Sequence, residues 1–141
     1  WDEIKKTEKL HENRKSAIDG VPKYLPALSK AQKIQKKASK VGFDWDNAEQ
    51  VFDKIYEELD ELKVEIERKD KEKMKDELGD VLFSIVNIAR FLDIDATEAL
   101  EGTIKKFDKR FRYVEQNCDI EKTSLENLEK LWQNAKKAID L

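Results

Sequence analysis

The chain reads as an all-α protein, a helical bundle of about four to five core helices, and three observations lead there. Helix breakers are scarce, with four Gly and two Pro in 141 residues. Charge is dense and balanced, since 42% of residues are Asp, Glu, Lys or Arg. Apolar residues recur at intervals of three and four over long stretches, which is the spacing of an amphipathic helix.

The elements follow in order. Residues 1–19 read as a charged helix, broken by Gly20 and the segment from Pro22 to Pro26. Leu28, Ala31, Ile34, Ala38 and Val41 mark a helix from Ala27 to Val41, closed by Gly42 in the manner of a C-cap. After the loop Phe43-Asp44-Trp45, the pair Asp46 and Glu49 has capping-box spacing. It opens a helix from about Asn47 to Lys69 whose apolar stripe is Val51, Ile55, Leu59, Leu62 and Ile66. A third helix is expected from about Lys71 to Leu92. From Val81 onward it is apolar nearly all round, which suits a central helix or a subunit interface.

Asp95 with Glu98 caps a fourth helix, to about Asn117, carrying Leu100, Ile104, Phe107 and Phe111. Thr123 with Glu126 caps a last one, carrying Leu125, Leu128, Leu131 and Trp132. Residues 1–22 form a charged helical linker or leading segment, and residues 23–141 are long enough for one domain with one core.

Charge and composition remove several function classes. The net charge of -3, from 31 acids and 28 bases, gives no broad positive field for nucleic acid and no basic stretch for a membrane surface. No apolar run approaches the roughly 20 residues of a membrane span, and no secretory signal opens the chain. One Cys and one His exclude an internal disulfide and a Cys/His zinc cage. A reducing cytoplasm is the expected location. The chain opens on Trp1 in place of Met, so it reads as a piece of something longer.

Chemistry concentrates in acids. Glu57, Glu58 and Glu61 form the pattern EExxE, with Glu58 at the border of the second helix's apolar stripe and Glu61 just beyond it. Read alone, such a pattern fits a solvated face in a chain this rich in charge. Glu77 and Asp80 on the third helix change the weighing, because they form ExxD and their stripe continues to Ser84 and Asn87 between Phe83, Ile88 and Phe91. No Lys or Arg lies on that stripe, and acids held away from water need partners. Two carboxylates about 4 Å apart repel by roughly 4 kcal/mol at an effective dielectric near 20. A divalent cation reverses that sign. An all-oxygen site without His favours magnesium, with manganese as a substitute, over zinc or copper. A di-iron bundle needs Glu-x-x-His from two helices, and Glu8 with His11 is the single match.

On the fourth helix, Lys106 and Arg110 lie one turn apart beside Ile104, Phe107 and Phe111. They suit neutralisation of phosphates, or a solvated face together with Lys105 and Lys109. Asn87 is open to two readings, a contact to sugar or phosphate and a buried amide bonding a neighbouring helix. Phe43 and Trp45 fit core anchors or base contacts.

These stretches resemble one family. LPALSKAQKIQKKASKVGFDW (25–45), DKIYEELDEL (53–62), DELGDVLFSIVNIARFL (76–92), KKFDKRFRYVE (105–115) and LEKLWQNAKK (128–137) are similar to the MazG nucleoside-triphosphate pyrophosphohydrolases, of the all-α NTP pyrophosphatase superfamily. The resemblance covers essentially the whole chain. It implies hydrolysis of nucleoside triphosphates to the monophosphate and pyrophosphate with magnesium. By motif match it implies Glu58, Glu61, Glu77 and Asp80 as metal ligands and Lys106 and Arg110 as phosphate contacts. It also suggests Lys54 and Lys73 near the nucleotide, and Trp132 against it, although the apolar helical face of Trp132 equally suits core packing. Glu57 or Glu61 would accept the proton of the attacking water.

The family often carries two such domains, and WDEIKKTEKL resembles the linker into the second, with a related N-terminal domain before it. The two apolar sides of the third helix imply a homodimer. Two other functions stay open: a non-catalytic helical interaction module, and a dUTP or dCTP pyrophosphatase of the same fold.

Overall fold

In a computed structural model, which describes residues 15–139, the described residues form five α-helices and one short 3-10 turn. We number the helices α1 (Ala27–Lys40), α2 (Ala48–Arg68), α3 (Lys71–Phe91), α4 (Ala96–Asn117) and α5 (Leu125–Ile139), with the 3-10 turn at Ile120–Lys122. There is no strand among the described residues. The expected leading helix is not seen where it can be checked. Residues 15–20 make a turn, tied by the Asp19 carboxylate, which accepts the Lys15 and Ser16 backbone N–H groups at 3.0 Å each. Residues 1–14, with Glu8 and His11, lie outside the described residues.

Three helix ends share one device. In each, a residue one or two positions past the helix has positive φ: Gly42 (93°), Lys69 (58°) and Asp93 (58°). Backbone N–H groups then reach back to carbonyls left open at the helix end. Phe43 bonds Ala38 and Gly42 bonds Ser39. Asp70 bonds Glu65 and Lys69 bonds Ile66, while Ile94 bonds Ala89 and Asp93 bonds Arg90. Each set is a Schellman pair. Only Gly42 announces itself in the sequence, because Gly adopts that conformation without a Cβ clash.

Two of the caps lie one residue from expectation. Asn47, not Asp46, caps α2: its side chain accepts the Gln50 N–H at 3.0 Å, and the Gln50 side chain returns to the Asp46 N–H at 2.8 Å. Ser124, not Thr123, receives the Asn127 N–H at the start of α5, while the Thr123 hydroxyl turns back to the Asp119 carbonyl. A short oxygen-bearing side chain at either position satisfies the spacing rule, and backbone geometry decides between neighbours.

By their contacts the residues fall into two units, one ending at Ala96 and the other beginning at Thr97. In the first, α3 packs against both α2 and α1. Its buried apolar residues are Val51, Ile55, Val81 and Val86. The α2 stripe is shifted from the apolar one read in sequence. The buried positions are Val51, Ile55, Glu58 and Glu65, whereas Leu59 and Ile66 are exposed. The Gln32 amide fastens the chain after α3, donating to the Ile94 carbonyl and accepting the Ala96 N–H, both at 2.8 Å. In the second unit Val114 and Ala135 are buried, and Phe107 meets Trp132 at 5.4 Å between ring centroids. Leu100, Ile104, Phe107, Phe111 and Leu125, expected as core, are exposed.

Asn47→Ala should lower unfolding free energy by about 1 kcal/mol, the usual cost of a lost N-cap, and Asp46→Ala by less than about 0.5 kcal/mol. Urea denaturation of the two variants measures the difference, and the reverse order would reassign the cap.

Candidate active site: a carboxylate cluster beside a cavity

A helical turn and a tight hairpin build the cluster. On α2, Glu58 follows Val51 and Ile55 at heptad-like spacing, so it points where they point, and it is only 5% exposed. On α3, Glu77 and Asp80 stand one turn apart beside buried Val81 and Ser84. Lys69 and Asp70 alone connect the helices, which obliges α3 to fold straight back along α2. Oxygens of Glu58, Glu77 and Asp80 thereby come within 4.8 Å of one another. Glu61 is exposed, outside that group of three, and its carboxyl hydrogen-bonds Glu77.

Charge is only partly balanced. Lys54, one turn before Glu58, places Nζ 2.8 Å from Glu58 Oε1 and 3.7 Å from Glu57 Oε2. No Lys or Arg lies on the acidic stripe of α3, and α2 supplies this cation. Glu58 Oε2 and Glu77 Oε2 are buried and accept no hydrogen bond. Removal from water, the hydrogen bond with Glu61, and the charges of Glu61, Asp80 and Glu58 push Glu77 up from 4.5 to about 7. Asp80 is also raised, chiefly by removal from water and then by Glu58 and Asp76, with Lys54 opposing.

Three converging carboxylates, two of them with a buried unsatisfied oxygen, fit a small hard dication, since such ions take oxygen donors and leave coordination positions for water and phosphate. Donor type and spacing therefore pass the test for magnesium or manganese. The fourth expected ligand, Glu61, is adjacent through Glu77 rather than within the three-oxygen group.

A cavity of about 610 Å³ adjoins the cluster through Lys54 and Ser84. Its polar lining includes Gln35, Asp44, Asn87 and Arg90, and its apolar wall includes Phe43, Trp45 and Phe83. Ser84 donates its hydroxyl to the Asp80 carbonyl at 3.0 Å, linking wall and cluster. The Gln35 amide donates to the Phe83 carbonyl at 2.9 Å, leaving its own oxygen buried and unpartnered. Phe43 and Trp45 are exposed cavity residues, so the core-anchor reading fails for both. Asn87 bonds Arg90 on its own helix rather than a neighbouring one, its oxygen accepting from Arg90 Nε at 2.9 Å.

Three polar lining residues were given no role in the sequence: Gln35, Asp44 and Arg90. Arg90 carried a signal, being the one charge in the run from Val81 to Leu92. Gln35 carried another, as a polar side chain four residues after Ala31 on the inward side of α1. Lys73 lies exposed in the first turn of α3, outside the cavity lining.

The remaining expected site residues belong to the second unit. Lys106 and Arg110 line a pocket of about 280 Å³ with Lys105 and Lys109. Arg110 stands over the half-buried Trp132 ring at 5.8 Å, a cation–π arrangement. Trp132 is thus engaged by Phe107 and Arg110 together.

The raised Glu77 makes a signed prediction. Its folded pKa of about 7 exceeds the ordinary 4.5, so it supports folding fully below about 4.5 and loses that support as pH rises through 7. Without divalent cations the melting temperature should fall over this interval, and Glu77→Gln, which mimics the protonated acid, should flatten the fall. Identical pH profiles for the two proteins in a chelating buffer would contradict the crowding of these acids.

Comparison with known proteins identifies the family. Residues 46–115 match the MazG nucleotide pyrophosphohydrolase domain. The chain is 42% identical to the nucleoside triphosphate pyrophosphohydrolase of Escherichia coli K12 over an alignment of 149 positions, covering 100% of this chain and 57% of that protein. It is 43% identical to the nucleoside triphosphate pyrophosphohydrolase/pyrophosphatase MazG of Thermotoga maritima, covering 96% of this chain and 54% of that protein. Bacillus subtilis YabN, an uncharacterized protein, is 46% identical over 142 positions, which is 29% of its length. The chain thus spans a little over half the length of the first two relatives. Its sequence and its helical architecture place it in one family: the chain belongs to the MazG nucleotide pyrophosphohydrolases.

Proposed function

We propose that this chain hydrolyses nucleoside triphosphates, both ribo- and deoxyribo-, to the monophosphate and pyrophosphate, with magnesium or manganese at the acid cluster. One observation carries the reading. Oxygens of Glu58, Glu77 and Asp80 meet within 4.8 Å, and two buried oxygens of that set have no partner. The Escherichia coli and Thermotoga relatives are nucleoside triphosphate pyrophosphohydrolases by name, which supports the hydrolysis.

Glu58, Glu77 and Asp80 would hold the dication, with Glu61 completing the set. Such an ion, when bound, supplies positive charge for phosphate oxygens and acidifies a bound water. The chain's own residues do the rest. Glu61, exposed and hydrogen-bonded to Glu77, is the acid we assign to accept the water's proton. Glu57 is drawn toward Lys54 at 3.7 Å and is the weaker candidate. Lys54 borders both cluster and cavity, so its ammonium serves the phosphate side of a substrate there. Asn87 offers its amide to the nucleoside within a cavity whose volume suits a small-molecule ligand. The roles of Lys73, of Lys106 and Arg110 on phosphate, and of Trp132 against the nucleotide rest on the motif match.

No described helix is long and apolar enough to cross a membrane. We assign the chain to the cytoplasm, where its single cysteine stays reduced. We also propose a homodimer. Phe52, Tyr56 and Leu59 on α2, and Leu78, Leu82 and Ile85 on α3, are all exposed, a larger apolar set than single scattered residues.

Pyrophosphate release from a panel of nucleoside triphosphates with magnesium tests the activity. Glu61→Ala should lose roughly 10²–10⁴ in rate as a missing general base, and Arg110→Ala roughly 10²–10³ as a missing charge contact. Equal background release by wild type and variants would favour a non-catalytic interaction module. For assembly, sedimentation at micromolar concentration should give a dimer for wild type and a monomer for Leu82→Glu; a wild-type monomer would refute the pairing.

A further inference from the structure

Arg90 is an expensive residue to place where it is. Its side chain is 10% exposed, in a helix segment that is otherwise uncharged, and a charge so enclosed requires partners. It has three. Its two terminal nitrogens grip the Asp44 carboxylate as a fork, NH1 to Oδ2 at 3.0 Å and NH2 to Oδ1 at 2.6 Å. Its Nε donates to Asn87 Oδ1 at 2.9 Å. Asp44 Oδ1 also accepts the Trp45 backbone N–H at 2.7 Å, so the loop after α1 is wound onto the same carboxylate.

The consequence falls on the cavity wall. Phe43 is 83% exposed and Trp45 is 38% exposed, so packing does little to fix these rings. The ion pair from α3 does it instead, by anchoring the residue between them. Nε can only donate, so the Asn87 oxygen must face it and the amide nitrogen is left to the cavity. Arg90 is not itself a free anion site, because Asp44 already matches its charge. Arg90 is also the first cause holding the Asp44 carboxyl below its ordinary value, so the pair stays charged through the neutral range.

We infer that Arg90 is a positioning residue for the nucleoside end of the substrate: one guanidinium fixes the aromatic loop Phe43–Trp45 and orients the Asn87 amide toward the same cavity. The inference rests on the nucleoside triphosphate reading proposed above. A lysine keeps the charge and offers no planar fork, so it cannot hold both partners in this geometry.

The test separates the nucleoside from the phosphates. Pyrophosphate release gives KM and kcat for wild type, Arg90→Lys and Asp44→Asn, and inorganic tripolyphosphate serves as a competitive inhibitor without a nucleoside. Both variants should raise KM for nucleoside triphosphate by about tenfold while kcat falls by less than about threefold, the pattern of lost binding rather than lost chemistry. Inhibition by tripolyphosphate should stay at the wild-type value, which also shows that the fold and the acid cluster persist. Asp44→Asn leaves Arg90 in place and keeps the outcome readable should Arg90→Lys fold poorly. An unchanged KM in both variants, with active wild type, overturns the inference alone. Equal weakening toward tripolyphosphate and nucleotide also overturns it, making the fork a general structural tie. An inert wild type removes the nucleotide reading and the inference together.

Discussion

The site depends on like charges being forced together by a two-residue connection. Lys69 and Asp70 turn α2 into α3 with no slack, and Lys69 adopts φ 58° to close the Schellman pair. Once the hairpin closes, register is fixed. A one-residue slip on either helix would rotate its acids by about 100° and disperse the cluster. As it stands, Glu58 meets Glu77 and Asp80, and the structure relieves the repulsion in two ways. Lys54 bonds one oxygen of Glu58, and Glu77 keeps its proton up to about pH 7. Neither reaches the two unpartnered oxygens. The same crowding that destabilises the metal-free chain is what a dication would use.

Two features of the first unit adjoin. The α2–α3 seam carries the acids, and the face between α1 and α3 carries a cavity with aromatic and amide walls. Lys54 and Ser84 belong to both, so a molecule with an anionic end and a flat apolar end matches the arrangement. That is the chemistry of a nucleoside triphosphate. The second unit contributes a separate cationic pocket with Lys106 and Arg110, and an Arg110–Trp132 contact.

Much of this was legible before any coordinates. The spans of the five described helices were readable to within about two residues because their signals are local: an apolar period, Gly42, and oxygen-bearing caps. EExxE and ExxD marked the acids because i, i+3 spacing puts them on one helix face. What escaped was non-local. The buried side of α2 was misjudged because Leu59 and Ile66 look like core, yet Glu58 and Glu65 occupy the inward positions. Caps slipped by one where two neighbouring residues could each serve. The Asp44–Arg90 fork joins residues 46 positions apart, and no period reveals such a pair. Exposure of Phe107 and Phe111 was equally invisible to a pattern that reports only which residues share a face.

The most direct test of the account is calorimetric titration with manganese or magnesium near pH 7, in two buffers of different ionisation enthalpy. The crowded acids predict saturable binding with net proton release, because Glu77, raised to about 7, must yield its proton to the ion. Substitution of Glu58 or Asp80 should abolish the heat. Absence of saturable binding at millimolar cation, or binding without proton release, would contradict the convergence of these carboxylates.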